Sequence, residues 1–300
     1  MERLAAFLAL SLASGVNLYL AVLVAGLGQR LGWIQGLPGE LSLLGHPAVL
    51  IVAGLLFLLE FLADKVPFVT PIWDAVHTVI RPLGSALLAV ATVAQVPPTW
   101  QVLAGLAAGS LALGVHGTKM GFRILAHAAP DPAAHSAISV AEDLGVIALL
   151  WLAFKHPAVA VPLLLALVAL LCWLLPRVLR GLRFLAAALL GRLRALFGPA
   201  RRAGVSSGVE AELLLQDPGG ASAVLPAFAL EAKGAGRFRK GHLARLPAGW
   251  RFRHRRLFRT RWMDLGDTAP RVDQGLLWDR VIFPGAQIFL VTRNWSSHLG

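Results

Sequence analysis

The stretch that decides the fold is LAAFLALSLASGVNLYLAVLVAGLGQ, residues 4–29. It contains no charged side chain, and it exceeds the roughly 20 apolar residues that an α-helix needs to cross a bilayer. The stretch runs past any small-residue cleavage site and carries Asn17 and Tyr19 in its middle. We therefore predict a retained transmembrane helix and not a cleaved secretory signal.

Five further apolar segments follow. Hydrophobic residues make up 57% of the 300-residue chain and charged residues 15%, against roughly 25% charged residues in an average soluble domain. Proline-containing loops separate the segments, because proline removes a helix donor and clashes with the preceding turn. The predicted spans are residues 4–29, 47–64, 72–95, 101–126, 138–155 and 157–175. Residues 1–176 thus predict an all-α integral membrane bundle of about six transmembrane helices.

Cysteine content and motifs exclude several classes of site. The chain has one cysteine, Cys172, within an apolar run, so it has neither an internal disulfide nor a cysteine-based zinc site. It lacks a phosphate loop of the G-x-x-x-x-G-K-[ST] type, which argues against an ATP-driven pump. The sequence identifies no metal site and no cofactor.

The net charge of +12 is concentrated after the bundle. Residues 177–202 carry seven arginines and no acid, interleaved with leucine and phenylalanine. We predict that residues 177–204 form a basic amphipathic helix and linker, which bind anionic lipid headgroups at the bilayer surface. By the positive-inside rule this surface is cytoplasmic, and six spans then place both termini in the cytoplasm.

Residues 205–300 predict a small β-rich cytoplasmic domain. Short runs at 209–215, 223–230, 250–253, 257–262 and 287–292 lie between Gly, Pro and Asp clusters, as is typical of strands. Between Gly249 and Leu265 aromatic and basic residues alternate, which predicts a hairpin with one basic face. Around residues 250–261 that face either binds anionic lipid headgroups or an acidic partner, or is an ordinary solvated strand face. No nucleic-acid-binding motif accompanies the charge, so nucleic acid is not an expected partner.

Three spans followed by three spans suggest a 3+3 inverted repeat. Gly15-Val16-Asn17 in the first span matches Gly114-Val115-His116 in the fourth. An odd number of spans per repeat gives oppositely oriented halves, an architecture that recurs among secondary transporters. Residues 14–17 and 114–117 have two interpretations: helix breaks that line a cavity, or small-residue contacts between closely packed helices.

Ionisable residues form stripes within the predicted spans. Such residues are costly to insert into a membrane, and they usually mark a functional site or a pairing network. Spacings of three, four and seven residues place them on one face of each helix. The candidate residues of a substrate or ion pathway are Asn17, Glu60, Asp64, Lys65, Asp74, His77, Arg81, His116, Lys119, Arg123, Glu142 and Asp143.

Three functions fit these stripes. In the first, they line the pathway of a transporter or channel-like protein for a small charged solute or ion, and Glu60 or His77 exchanges protons. In the second, they form an intramembrane enzyme site in which Arg81, Lys119 and Arg123 bind a lipid phosphate. In the third, they are a structural network that fixes helix register within a membrane scaffold. Transport is preferred over catalysis because no phosphatase or transferase signature is present.

Several blocks of sequence carry a family resemblance. The blocks SGVNLY (14–19), EFLADKVP (60–67), WDAVHTVIR (73–81), HGTKMGFR (116–123), PDP (130–132) and SVAED (139–143) resemble the bacterial membrane protein family catalogued as domain of unknown function 4126. The resemblance covers about residues 10–180, and Gly117 stands where the family often has alanine. It implies a multi-pass membrane protein whose signature blocks contain the charged stripes, and it implies no particular activity.

The predicted location is the cytoplasmic (inner) membrane of a bacterium, with several passes through the bilayer. The lipid bilayer is then the main partner. The features above are also compatible with an oligomer.

Overall fold

The computed structural model describes residues 1–34, 37–38, 40–66, 69–126, 132–197, 223–232, 235–256, 259–275 and 278–290. The chain divides into two compact units, Met1–Pro176 and Arg177–Gly300. The first unit is helical, and the second contains the end of the last helix followed by an antiparallel sheet.

The described residues contain six α-helices, of which the last passes from the first unit into the second. These are α1 (Glu2–Arg30), α2 (Pro47–Ala63), α3 (Thr70–Thr92), α4 (Pro98–Ala126), α5 (Pro132–Lys155) and α6 (Pro157–Phe197), with a 3₁₀-helix at Leu41–Gly45 before α2. Five of them, α1 and α3 to α6, are long and apolar enough to cross a membrane, whereas α2 is apolar but has 17 residues. The six predicted helices are confirmed, and five of them are candidate membrane spans, whereas α2 is a shorter apolar helix.

The helix starts follow from proline and from local capping. Because proline has a suitable φ and no N–H to leave unpaired, it is favoured in the first turn of a helix. It begins α2, α4, α5 and α6, and it is the second residue of α3. At α2 the residue before the helix also caps it, since Nδ1 of His46 accepts from the Ala48 N–H at 3.3 Å.

On α3 the polar side chains face the interior of the bundle, and several apolar side chains face outward. Asp74, His77, Arg81 and Ser85 form the buried face of α3, whereas Leu87 on the same helix is 71% exposed. An extensive exposed apolar surface marks a protein that meets a non-aqueous environment or a partner. The outward leucines therefore suit lipid, and the charged stripes predicted from the sequence face the interior.

Helix α1 lies at the centre of the first unit and packs against α2, α3, α4 and α5. Its contact with α4 is very close: a Cβ on Gly15 would lie 2.6 Å from Cβ of Val115 and 2.7 Å from the carbonyl oxygen of Ala112. Small residues permit such close helix packing in membranes. At Gly15, residues 14–17 therefore form a small-residue contact between closely packed helices.

Two residues later, at Asn17, the same segment also contains a helix break. Asn17 has φ −153° and ψ 100°, an extended conformation that interrupts α1. Residues 114–117 differ, because α4 is helical throughout them. The two matched segments are thus not both helix breaks.

Helix α6 differs from the sequence-based expectation of a span ending at 175 and a separate basic helix. It continues without interruption to Phe197, with Pro162 and Pro176 inside it. Proline in a membrane helix is tolerated where other groups satisfy the freed carbonyl. In the second unit Phe184 of α6 is 4% exposed and packs against rings of the sheet. Part of the apolar surface predicted to enter lipid therefore contacts protein. Residues 198–204 lie outside the described residues.

The second unit contains a seven-stranded antiparallel sheet, which confirms the predicted β-rich tail. Its strands are β1 (Ala223–Ala232), β2 (Arg239–Leu246), β3 (Gly249–Arg256), β4 (Arg259–Gly266), β5 (Arg271–Asp273), β6 (Asp279–Phe283) and β7 (Ala286–Leu290), in the order β4-β3-β2-β1-β7-β6-β5. Trp250 of β3 contacts Phe283 of β6 although three strands separate them, so the sheet is strongly curled around its core. The strand predicted at 209–215 lies outside the described residues.

The hairpin of β3 and β4 is present, but its basic residues do not share one face. Residues paired across an antiparallel ladder lie on the same face. Arg253 pairs with Trp262, and His254 pairs with Arg261. The pairing places Arg251, Arg253 and Arg255 on one face of the hairpin and Arg256, Arg259 and Arg261 on the other, so both faces carry arginine. The expectation of a single basic face was wrong.

Candidate functional site

The centre of the buried polar network is Arg81 of α3, whose side chain is fully enclosed. Its Nη2 forms an ion pair with Glu60 of α2. Its Nη1 donates to the carbonyl oxygen of Gly15 at 3.1 Å and to Nδ1 of His116 at 2.6 Å. One guanidinium thus connects α3 to α1, α2 and α4.

The break in α1 at Asn17 creates a second helix start in mid-helix. The extended backbone of Asn17 is the conformation of an N-cap residue, and its Oδ1 accepts from the Leu20 N–H at 3.0 Å. Its Nδ2 donates to Oδ1 of Asp143 on α5 at 3.1 Å. The amide of Asn17 therefore caps the second half of α1 and also holds an acidic side chain beside the break.

The last carbonyls of a helix have no partner within that helix, and Gly15 and Val16 directly precede the break at Asn17. The end of a helix carries a partial negative charge, so cations are favoured there. Two cations occupy these positions: Arg81 donates to the carbonyl of Gly15, and Nζ of Lys119 donates to that of Val16 at 3.2 Å. The interruption is stabilised by permanent positive charges from α3 and α4.

Lys119 also meets acidic groups. Its Nζ lies 2.8 Å from Oε2 of Glu142 on α5 and 3.9 Å from Oδ2 of Asp64, which follows α2. The side chains of Lys119 and Asp64 are 6% and 5% exposed, and that of Glu142 is 27% exposed. An ammonium group is therefore held by one backbone oxygen and two carboxylates, with Glu142 the most accessible of them.

Arg123 lies one turn after Lys119 on α4 and connects residues near the ends of neighbouring helices. Its two Nη atoms contact both carboxylate oxygens of Asp64, at 3.1 and 2.6 Å, and Nη1 also donates to Oδ2 of Asp74 at 3.1 Å. The hydroxyl of Ser139 on α5 donates to the same Asp64. Bidentate pairing of this kind holds the guanidinium and the carboxylate in one plane. Through these contacts, side chains from α3, α4 and α5 meet at Asp64, the residue that follows α2.

The two histidines make contacts through both ring nitrogens. Nδ1 of His77 donates to the Trp73 carbonyl at 2.8 Å, because a carbonyl only accepts, and Nε2 lies 2.9 Å from the Tyr19 hydroxyl. For His116 the order is reversed: Nδ1 accepts from Arg81, and Nε2 donates to the Asp74 carbonyl at 3.0 Å. A guanidinium only donates, so Nδ1 of His116 carries no proton and this imidazole is neutral.

Lys65 is the one candidate residue that the structure places outside the network. Its Nζ lies over the ring of Phe61 and donates to that residue's carbonyl at 3.4 Å, on the exposed side of α2. The described network therefore combines five carboxylates (Glu60, Asp64, Asp74, Glu142 and Asp143) with three permanent cations (Arg81, Lys119 and Arg123). Without Lys65, the carboxylates of the described network outnumber its permanent cations.

Some network atoms have no hydrogen-bond partner among the described residues. They include Oε2 of Glu60, Oδ1 of Asp74 and Nε of Arg81, all of them buried. A buried polar atom without a partner is costly and calls for an explanation such as an ion or a water molecule. No group of three or more His, Cys, Asp or Glu side chains in the described ranges is close enough to hold a metal ion.

Comparison with known proteins identifies the helical part. Residues 4–177 match the family described as domain of unknown function (DUF4126), and this is more than half of the chain. The chain belongs to the DUF4126 family. No curated protein and no solved structure matches it.

The DUF4126 match confirms the resemblance inferred from the sequence blocks. It encloses every member of the polar network, from Asn17 to Asp143, and it ends before the sheet of the second unit. The network therefore belongs to the DUF4126 domain.

Two cavities flank the break of α1 within the DUF4126 domain. One, of about 340 Å³, is lined by Leu12, Ala13 and Val16 from the first half of α1 and by residues of α4, α5 and α6; Glu142 is its one charged lining residue among those described. The other, of about 610 Å³, is lined by Leu18, Tyr19 and Val22 from the second half of α1 and by residues of α2, α3 and the 3₁₀-helix. Each cavity reaches the network through a polar side chain, Glu142 in the first and Tyr19 in the second.

Sequence reasoning omitted several members of this DUF4126 site. Tyr19, Thr78 and Ser139 contact His77, His116 and Asp64. All three lie within the sequence blocks that carry the resemblance, which was the available signal. The carbonyls of Gly15 and Val16 had no signal of their own, because every residue has a carbonyl and only the break makes these two available.

Proposed function

We propose that this DUF4126 protein is a membrane transporter for a small charged solute or ion, and that the polar network is its pathway. The observation that carries the proposal is the break of α1 at Asn17, whose released carbonyls face Arg81 and Lys119. A broken helix at membrane depth is tolerated where protein surrounds it or where it lines a cavity. In secondary transporters such half-helix ends form the site of the substrate or coupling ion.

The position of the network supports a pathway that reaches one side of the membrane. Its charges lie near the C-terminal ends of α2 and α4 and the N-terminal ends of α3 and α5, and they extend inward to the middle of α1. In the topology predicted from the sequence, with both termini and the tail in the cytoplasm of an inner-membrane protein, that end faces the cytoplasm. The 3+3 inverted repeat belongs to the same proposal and rests on the sequence match alone.

The alternatives have weaker support. For a lipid-phosphate enzyme, Arg81, Lys119 and Arg123 would bind phosphate, but each already has a carboxylate partner. A phosphate would have to displace those partners. A purely structural network explains the pairing, yet it gives no role to the unpartnered Oε2 of Glu60 or to the two cavities.

The test is a current measurement on proteoliposomes adsorbed to a solid-supported membrane. Jumps of pH, inorganic cations, anions and small metabolites are applied, and a lumenal pH-sensitive dye detects electroneutral exchange. We expect the wild-type protein to respond to at least one solute and Glu60→Gln to lose that response. Glu2→Gln is the matched control, because Glu2 is exposed at the start of α1.

A second variant covers the case in which Glu60→Gln fails to fold. Asp143→Asn removes a charge that is only partly buried and keeps a side-chain oxygen that can accept from Nδ2 of Asn17. Loss of transport in this variant supports the proposal. If the wild type moves none of the solutes while both variants lower its unfolding temperature, the structural interpretation replaces it.

A further inference from the structure

The surroundings of the Lys119 ammonium group resemble a site for a free cation. Its neighbours are three oxygens: the Val16 carbonyl at 3.2 Å, Oε2 of Glu142 at 2.8 Å and Oδ2 of Asp64 at 3.9 Å. Carbonyls released at a helix break, together with acidic side chains, are the groups that bind Na⁺ or H⁺ in secondary transporters. In this structure the side chain of Lys119 supplies the positive charge at that point.

The charge of the network indicates that it accepts a further cation. Within the described residues, five carboxylates face three permanent cations, and Arg81 holds His116 neutral. Glu60 is 1% exposed and has one carboxylate oxygen without a hydrogen-bond partner among those residues. A buried excess of negative charge is costly unless it is compensated, so one added monovalent cation is favourable.

Two of the residues that surround the ammonium group also line a cavity. Glu142, its closest acidic partner, lines the cavity of about 340 Å³ between α1, α4, α5 and α6. Val16, which provides the carbonyl, lines the same cavity. Two of the three residues that surround the ammonium group therefore border this cavity, whose other described lining residues are nonpolar.

We infer that Lys119 is a tethered cation, and that its ammonium group occupies the site at which the protein binds a small inorganic monovalent cation. This inference rests on the proposed transport function and names its substrate class. When the ion binds to Glu142, Asp64 and the Val16 carbonyl, the ammonium group is displaced from these oxygens. Competition between ion and lysine keeps the wild-type affinity low and allows the ion to leave again.

The first experiment measures equilibrium binding of radiolabelled Na⁺ and Rb⁺ to the purified full-length protein. Lys119→Gln removes the competing charge, and we expect it to bind one of these ions at least about tenfold more tightly than the wild type, which corresponds to about 1.4 kcal/mol. Lys65→Gln is the matched control, because it removes an exposed lysine of the same domain, and its affinity should equal that of the wild type. Glu142→Gln should lower the affinity. Equal affinities of Lys119→Gln and Lys65→Gln overturn the inference.

The second experiment needs no substitution and so does not depend on folding of a variant. Purified wild-type protein is labelled briefly with a membrane-permeant amine acylating reagent, and mass spectrometry quantifies the modification of each lysine. NaCl or RbCl should increase the labelling of Lys119 over that in N-methylglucamine chloride of equal ionic strength, while Lys65 serves as the internal reference. Unchanged labelling of Lys119 overturns the inference.

Failure here is distinguishable from failure of the transport proposal. A current driven only by an anionic solute and lost in Glu60→Gln would overturn the tethered-cation inference and leave the transport function supported. Saturable Na⁺ or Rb⁺ binding that is tighter in Lys119→Gln, without flux of any solute, would support the cation site and overturn transport.

Discussion

At the scale of single residues, the molecule is organised around charges that cannot reach water. Arg81 is completely enclosed, and its ion-pair partner Glu60 is 1% exposed. The burial of two charges is costly, and their attraction compensates for it only when the geometry and the other hydrogen bonds are good. The Gly15 carbonyl and His116 provide those further bonds to Arg81, which explains how the pair can exist at this depth.

The pair gives a first prediction about stability. Arg81→Gln or Glu60→Gln alone should lower the free energy of unfolding by about 3–5 kcal/mol, because each leaves the opposite charge buried without compensation. The double variant Arg81→Gln/Glu60→Gln should lose clearly less than the sum of the two. Denaturant unfolding in micelles measures all three variants, and additive losses would show that the two side chains do not interact.

At the scale of elements, α1 combines a close helix contact with an interruption. Gly15 brings α1 against Val115 and Ala112 of α4, and Asn17 ends the first half-helix and caps the second. The contact places α4 where Lys119 can reach the carbonyl of Val16. The site at the break therefore depends on the absence of a side chain at position 15.

A second prediction compares two glycines of the bundle. Gly15→Ala adds a Cβ at 2.6 Å from Cβ of Val115 and should force α1 and α4 apart, at a cost of about 1–3 kcal/mol. Gly117→Ala meets no atom within 4 Å. In a helix it should be neutral or stabilise by up to about 1 kcal/mol. Unfolding temperatures in the same detergent decide this, and equal effects of the two substitutions would contradict the close α1–α4 contact.

At the scale of the whole molecule, the chain consists of a DUF4126 helical unit and a curled sheet unit, and α6 runs through both ranges. In the sheet unit the ring of Phe184 lies 5.0–5.3 Å, centre to centre, from the rings of Phe228, Phe238, Trp278 and Phe289. The end of α6 is therefore a packed part of the sheet unit.

The third prediction concerns this aromatic cluster. Phe184→Ala should remove about 3–5 kcal/mol from the stability of the sheet unit, as large-to-small substitutions of buried aromatic residues do. Leu190→Ala on the same helix should have a small effect, because Leu190 is 50% exposed. Hydrogen exchange of the full-length protein is the measurement. Exchange in β1 and β7 should accelerate in Phe184→Ala and not in Leu190→Ala, and identical exchange in both would show that Phe184 does not hold α6 to the sheet.

The sequence by itself determined the class of the molecule. Long uncharged runs indicate membrane helices because the bilayer core is thick and apolar, prolines set the helix starts, and the spacing within each helix groups the charges into stripes. The antiparallel tail and the family were also predictable, since strand patterning is local and the sequence blocks are specific.

Only the tertiary structure decided how these pieces meet. It paired Arg81 with Glu60 and Lys119 with Glu142, it excluded Lys65, and it revealed the excess of acid that follows. It also showed which of the two glycine segments, 14–17 or 114–117, contains a helix break. The break lies in the first segment, where Arg81 and Lys119 from other helices bind the carbonyls of Gly15 and Val16. Strand register likewise depends on pairing between distant residues, and it distributed the arginines of β3 and β4 over both faces of the sheet. Periodicity fixes the face of an element on which a residue lies, whereas packing between elements fixes its partner.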